Sequence, residues 1–391
     1  MQYRRFGRTE LSMPVFSCGG MRYQHSWKDV PESEIPAKNQ QNLEATISRS
    51  LELGINHIET ARGYGTSELQ LGKYLRTLPR ESFYFQTKAV PTKDPKEFLE
   101  TFETSMQTHG LEHADLFSFH GVNTLEVLED AKGCLDAARQ LQRDGRIRFL
   151  GFSTHGHVDT ICQAIDTGEF DYLNLHWYWI FQNNWPAILR AKAQDMGVFI
   201  ISPSDKGGML YQPTAAFSAC TAPHSPMMFN DLFCLNHPEV HTLSLGASCP
   251  EDFDEHLKAL SVWDKRKTYL ATAESSLHQR ISDTVGSDWW TYVTQELPEW
   301  WEVPGEVNLR IILWLWSLDQ AFGMREYAQS RYNLLGNASH WFPGQQITKL
   351  DTDKLSSLLK DSEFLSYIPE RLQQAHEWFL KEETKRLSES E

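Results

Sequence analysis

The stretch "GINHIETARGYGTSELQLGKYL", Gly54 to Leu75, passes from a short apolar run to an acid, then to a tyrosine between glycines and a helix-like pattern. "INHIE" reads as a strand closing on Glu59. Ser67 begins "SELQ", a capping-box pattern that opens a helix. The same alternation extends in both directions. Upstream, "PVFSCGG" reads as a first strand, followed by a helix over 41–53. Downstream, "FYFQTK", "DLFSFH", "IRFLGFS", "DYLNLH", "GVFIIS" and "HTLSLGA" read as strands. Helices are expected between them near 96–108, 124–143, 157–166 and 186–195. A longer excursion holds "PMMFNDLFCLN", and the helix "PEDFDEHLKAL" follows the last strand. Strict alternation of strand and helix implies a parallel sheet. Eight such units in about 250 residues match an α/β fold of the (β/α)8 TIM-barrel kind. A doubly wound sheet is the alternative, but no GxGxxG follows the first strand, as a dinucleotide site of that fold requires.

Charge and cysteine usage narrow the class. Acids outnumber bases 52 to 37, for a formal net charge of −15 over 391 residues. Such a balance argues against a nucleic-acid or anionic-membrane partner. The cysteines at 18, 134, 162, 220, 234 and 249 form no CxxC, which fits reduced thiols in a cytoplasmic protein. The first residues, "MQYRRFGRTELSMP", have no apolar core of a secretory signal. "LRIILWLWSL", residues 309–318, is too short to span a membrane and reads as a buried helix.

After about residue 262 the strand alternation stops. Helices are expected near 266–281, 306–322, 325–334, 351–360 and 367–387, and "KRLSESE" reads as a fraying tail. The expected organisation is a barrel over 1–262 and a mostly helical C-terminal domain over 263–391.

In a barrel the C-terminal ends of the strands share one mouth. Glu59 closes the second strand and Tyr64 lies in its loop. Lys88 closes the third, and His120 the fourth. Taken singly, each has an ordinary structural role, but together they make a chemical set. A phenol with a pKa of about 10 is a poor acid at neutral pH. The Lys88 ammonium would lower it, and Glu59 would keep Lys88 charged. A His120 N–H would aim a carbonyl oxygen at the phenol, leaving the carbon open to hydride from a cofactor.

Here the sequence resembles the aldo-keto reductase family. "RRFGRTELSMPVFSCGGM", "GINHIETARGYGTSELQLGKYL", "FQTKAV", "DLFSFHG", "RFLGFSTH", "IISPSDKGGML" and "LSLGASCPEDFDEHLKAL" follow the family's order and spacing across 1–262. The resemblance implies a nicotinamide cofactor at the mouth. It assigns Tyr64 as general acid/base, Lys88 as its tuning partner and His120 as the substrate-orienting residue. Glu59 stands where the family usually has aspartate. Gly20 and Met21 match a backbone contact to the cofactor, and Ser153 matches the residue holding the nicotinamide amide. Asn174 replaces a glutamine there, and Ile201 replaces a stacking aromatic. Ser202, Pro203, Ser204, Lys206 and Gly207 resemble the phosphate-spanning loop. Gly246, Ala247, Ser248 and Glu255 match the adenosine end, with His256 where asparagine is common. Asp252 stands where many relatives place an arginine for the 2′-phosphate, and an acid there leans toward a ribose hydroxyl. The family norm is NADP(H), while this acid favours NAD(H); both stay open, with NADP(H) first.

The region after 262 resembles the C-terminal part of a bacterial subgroup that carries a ferredoxin-like extension with cysteine-ligated clusters. No cysteine lies after Cys249, so the resemblance implies a degenerate segment without an iron–sulfur cluster or other metal. Its tryptophan pairs at 289–290 and 300–301 then fill a core; a docking surface for a protein partner is the alternative use. The expected function is NAD(P)H-dependent reduction of a small carbonyl substrate. A nicotinamide-binding sensor or interaction subunit is the alternative.

Overall fold

The computed structural model describes residues 1–336 and 342–381. The tail "KRLSESE" and the last residues of the helix expected over 367–387 lie outside them.

Eight parallel strands close into a barrel in chain order. They are β1 (Phe16–Gly19), β2 (His57–Glu59), β3 (Tyr84–Ala89), β4 (Ala114–Phe119), β5 (Ile147–Ser153), β6 (Tyr172–Leu175), β7 (Gly197–Ile200) and β8 (Thr242–Leu245). β8 pairs with both β7 and β1, which completes the circle. Each strand lies within the segment read from sequence or within a residue of it. The helix expected over 124–143 is two helices, Leu125–Gly133 and Leu135–Arg143, meeting at Cys134. Ser67 is the first residue of the helix Ser67–Leu75 rather than its cap. Its hydroxyl donates to the Gly20 carbonyl at 2.9 Å instead, which ties the loop after β1 to the loop after β2.

The N-terminal end of the barrel is closed. An antiparallel hairpin, Tyr3–Arg5 with Ser12–Pro14, places Phe6, Leu11 and Met13 against Leu116, Tyr172 and Phe199. The Phe6 ring lies so close to Gly197 that a Cβ there would sit 2.6 Å from it. Only the C-terminal ends of the strands are left to hold a site. The barrel interior between plug and mouth is polar. Ser17 bonds His57 Nδ1 and Thr242 Oγ1, each at 2.7 Å, and Ser118 bonds the Tyr172 hydroxyl at 2.8 Å. Burial pushes His57 down to about 3, so it stays neutral.

The chain divides into two compact units. The first comprises Met1–Gly207 and Asn230–Arg266 among the described residues, and holds the barrel. The second comprises Gly208–Phe229 and, among the described residues, those from Lys267 onward. The segment Gly208–Phe229, expected within the barrel region, thus packs with the helical unit. Thr214 Oγ1 donates to the Phe322 carbonyl at 2.6 Å, the Phe217 ring meets Phe322 at 5.2 Å, and Tyr269 donates to the Thr221 carbonyl at 2.7 Å.

The second unit is helical, with Arg266–Thr284, Leu309–Phe322, Arg325–Tyr332, Thr352–Leu358 and Ile368–Phe379 as its main elements. Leu309–Phe322 is buried along nearly its whole surface. Trp289, 2% exposed, donates its indole N–H to Ser317 at 2.9 Å. The Arg371 guanidinium lies 3.8 Å from the centre of the Trp289 ring. No helix among the described residues is long and apolar enough to cross a membrane.

Candidate active site

Parallel pairing sets Glu59 beside Gln86 and Lys88 beside Ser118, with the four side chains buried at or near the mouth. Lys88 Nζ donates to the Glu59 carboxylate and, at 2.8 Å, to the Thr60 carbonyl. Ser244 on β8 donates to the other Glu59 oxygen at 3.0 Å. Lys88 is 2% and Glu59 3% exposed. Two buried charges are tolerable only when paired and hydrogen-bonded, as these are. Burial acts to lower the Lys88 pKa. Glu59 and Tyr64 outweigh it, and the net shift is upward from the ordinary lysine value.

Tyr64 sits on the loop after β2. Thr66 N donates to the Ser26 carbonyl at 3.0 Å, and Thr66 Oγ1 accepts from His25 N and Ser26 N, each at 3.1 Å. Lys88 Nζ lies 5.0 Å from the centre of the Tyr64 ring. The His120 ring meets it edge-on at 5.7 Å, and Trp27 does so at 6.1 Å. His120 N donates to the Ala89 carbonyl at 2.8 Å, which fixes the turn out of β4. Glu59, Tyr64, Lys88 and His120 therefore meet in one place. Desolvation raises the Tyr64 pKa, Lys88 lowers it, Glu59 raises it, and the net is upward. Sequence suggests a lowered phenol; the Lys88 contribution has that sign, but loss of solvent around the half-buried ring outweighs it.

The residues matched to a dinucleotide lie around the rest of the mouth. Ser153 and Asn174 are neighbours in register at the ends of β5 and β6. Asn174 Nδ2 is buried without a hydrogen-bond partner among the described residues, as suits a site awaiting an amide oxygen. A Cβ on Gly20 would meet the Glu59 carbonyl at 2.6 Å, so the chain can pass this close to the end of β2 only because glycine is present. Met21 follows it. After β7 the chain turns through Ser202 at φ +53° into the short helix Pro203–Lys206, which Gly207 ends. Lys206 Nζ lies 3.4 Å from His176 Nε2. Arg22, close to Gly246, reaches Asp205 at 3.7 Å and links the loops after β1 and β7.

After β8, Gly246, Ala247 and Ser248 lead into a turn capped by Asp252. Its Oδ2 accepts from Ser248 N at 2.7 Å, Ser248 Oγ at 2.8 Å and Cys249 N at 3.3 Å. These bonds hold the Asp252 pKa below the ordinary carboxylate value against the effect of burial, so it remains an anion. Glu255 pairs with Lys258 at 2.6 Å on the helix after β8. His256 Nδ1 bonds Asp231 Oδ2 at 2.5 Å. No group of three or more His, Cys, Asp or Glu among the described residues could hold a metal.

Ser244, Asp231 and Arg22 were not singled out from sequence. Period-two alternation in "HTLSLGA" turns Ser244 to the same face as Thr242, which was signal enough. Asp231 is a single acid in the apolar run "PMMFNDLFCLN", a pattern that asks for a buried partner.

The model of the aldo/keto reductase family matches residues 16–213, just over half of the chain. The chain belongs to the aldo/keto reductase family. It is 22% identical over 296 residues to the NADH-specific methylglyoxal reductase of Escherichia coli strain K12, covering 61% of this chain and 87% of that protein. It is 27% identical over 171 residues to L-glyceraldehyde 3-phosphate reductase of the same strain, covering 40% of this chain and 46%, under half, of that protein. Its fold matches that of an aldo-keto reductase from Klebsiella pneumoniae in complex with NADPH. The TM-score is 0.55 at 17% identity, over 68% of this chain and 93% of the other. Family and relatives together make the chain an NAD(P)H-dependent oxidoreductase of the TIM-barrel class.

Proposed function

We propose that the protein reduces a small aldehyde or ketone, with Tyr64 as the proton donor. The observation that carries this reading is the buried Lys88–Glu59 pair set against the Tyr64 ring, with His120 edge-on to the same ring. Bound nicotinamide dinucleotide would supply the hydride. Tyr64 would give its proton to the carbonyl oxygen as negative charge grows there. Lys88, kept an ammonium by Glu59, would stabilise the phenolate left behind. His120 would donate to the same oxygen and set its direction. A phenol with an ordinary pKa of about 10 already carries its proton at neutral pH.

In this reading Ser153 and Asn174 take the nicotinamide amide, with Gly20 and Met21 offering backbone beside it. Ser202, Pro203, Ser204, Lys206 and Gly207 take the phosphates. Gly246, Ala247, Ser248, Asp252, Glu255 and His256 line the adenosine end. NADP(H) comes first and NAD(H) second. One relative named above is NADH-specific and one structural neighbour holds NADPH. The Asp252 anion disfavours a 2′-phosphate, but much of its hydrogen-bonding capacity goes to the turn it caps. The second unit is read as a degenerate ferredoxin-like segment without a cluster, in which Trp289 supplies packing; of the other tryptophans expected in that core, Trp290 and Trp300 are half-buried and Trp301 is 49% exposed. The six cysteines form no disulfide, which suits cytoplasmic residence.

The test is Tyr64→Phe. Dinucleotide binding, followed by nicotinamide fluorescence, should be retained. Reduction of a panel of aldehydes and ketones should fall by roughly two to four powers of ten, the scale for losing a general acid. Unchanged turnover would remove Tyr64 from the mechanism.

A further inference from the structure

We propose that Ser204, His256 and Asp231 form a second, hydrolytic centre in the barrel unit, able to cleave small carboxylic esters through an acyl-serine intermediate. His256 lies on the helix Phe253–Ser261 that follows β8. Its Nδ1–H donates to Asp231 Oδ2 at 2.5 Å, and its other ring nitrogen, Nε2, stands 3.5 Å from Ser204 Oγ. Asp231 is 1% and His256 4% exposed, while Ser204 is half-buried on the turn after β7. The three residues come from three separate segments, yet their contacts run in the order acid, base, nucleophile. That order, not sequence position or fold, is what defines a serine hydrolase constellation.

Each role follows from the bonds. Carboxylate on Nδ1 fixes the tautomer, so the Nε2 lone pair faces the serine hydroxyl. The Ser204–His256 contact is at the long end of hydrogen bonding, a separation that catalytic pairs without substrate often show. A purely structural tie between Asp231 and the helix would explain the first bond. It gives no reason for the second, nor for the backbone beside the serine. Ser202, two residues earlier, is held at φ +53°, a conformation costly for a residue with a Cβ and common next to reactive groups.

The chemistry balances without an oxidant or reductant. Ser204 Oγ bonds to the ester carbonyl carbon while its proton passes to His256 Nε2. The bond to the alcohol oxygen breaks, and the imidazolium returns the proton to the leaving alkoxide. Water then attacks the acyl carbon and gives a proton to Nε2. The bond to Ser204 breaks, and the serine recovers that proton. Ester and water become acid and alcohol. Because Ser204 and His256 also stand in the proposed dinucleotide set, ester and dinucleotide would compete for this corner of the mouth.

The test uses the full chain with no nucleotide added. Hydrolysis of p-nitrophenyl acetate is followed for the parent, Ser204→Ala and Asp231→Asn. The parent is also treated with a fluorophosphonate and the modified residue mapped by mass spectrometry. The expected result is labelling at Ser204 and a loss in kcat/KM of about a hundredfold or more for Ser204→Ala. Asp231→Asn, which keeps the shape but not the charge, should lose at least about tenfold. Labelling of the parent does not depend on how the variants fold. No label at Ser204, or Ser204→Ala hydrolysing as fast as the parent, would overturn the proposal.

Discussion

Glu59 is one methylene longer than the aspartate common at its place in the family. The barrel absorbs that length by giving the carboxylate two donors, Lys88 and Ser244. Strand-end placement made the pairing with Lys88 legible from sequence. Its depth was not, because burial depends on what the other strands contribute, and depth makes the pair a stability element too. The Lys88 pKa in the fold lies above its ordinary value of about 10.4. A group shifted in that direction contributes its stability in full below the unfolded value and loses it as pH rises through the folded one. At neutral pH the whole contribution is present. Glu59→Gln should therefore cost about 3–5 kcal/mol, the scale for removing one partner of a buried pair. It should also lower the rate and shift the pH–rate profile. Glu59→Asp, which keeps the charge, should retain most of both. Urea melts at pH 7 beside a pH–rate series check this, and a Glu59→Gln melt coinciding with the parent's would deny the pair any energetic weight.

At the scale of elements, the loop that carries Tyr64 is held by shape as well as by bonds. Gly65 sits at φ +53°, and a Cβ there would lie 2.1 Å from the Ser26 carbonyl oxygen. Gly145, before β5, has φ +71° but nothing within 4 Å of a Cβ. Gly145→Ala should cost only the left-handed strain, about 1–2 kcal/mol, and leave reduction unchanged. Gly65→Ala adds an overlap with backbone and should cost about 3 kcal/mol or more while slowing reduction, since Tyr64 must move with its loop. Thermal melts and aldehyde turnover on the two variants separate these effects; equal losses would show that the overlap is relieved elsewhere. Much at this scale was readable, since short apolar runs alternating with amphipathic stretches marked the strands and the order of their ends. Asp252 was less so. A carboxylate opposite a phosphate and a carboxylate capping its own turn have the same sequence, and only the three N–H and O–H donors around Oδ2 tell them apart.

For the molecule as a whole, the loss of strand alternation after residue 262 marks the helical unit in the sequence. Its other piece, Gly208–Phe229, gives no such sign. Its bonds run to residues 48 and 108 positions later, and no local pattern encodes partners that far away. With no cysteine after Cys249 and Trp289 packed in its core, the second unit has no thiolates of its own beyond Cys220 to hold a cluster. The purified protein should be colourless, with neither visible charge-transfer absorption nor acid-labile sulfide; stoichiometric iron in an elemental assay would contradict this.

The division of that unit into two passes of the chain has a consequence for biosynthesis. A ribosome delivers Gly208–Phe229 first, then β8, and only later the helix Leu309–Phe322. The barrel can close while Phe217 still waits for the ring of Phe322. A nascent chain with residues up to about 266 outside the ribosome would hold all eight strands while Phe217 still lacks its helical partner, the kind of species that aggregates unless something holds it. The order of the codons thus imposes an interval of vulnerability that the mature structure no longer displays.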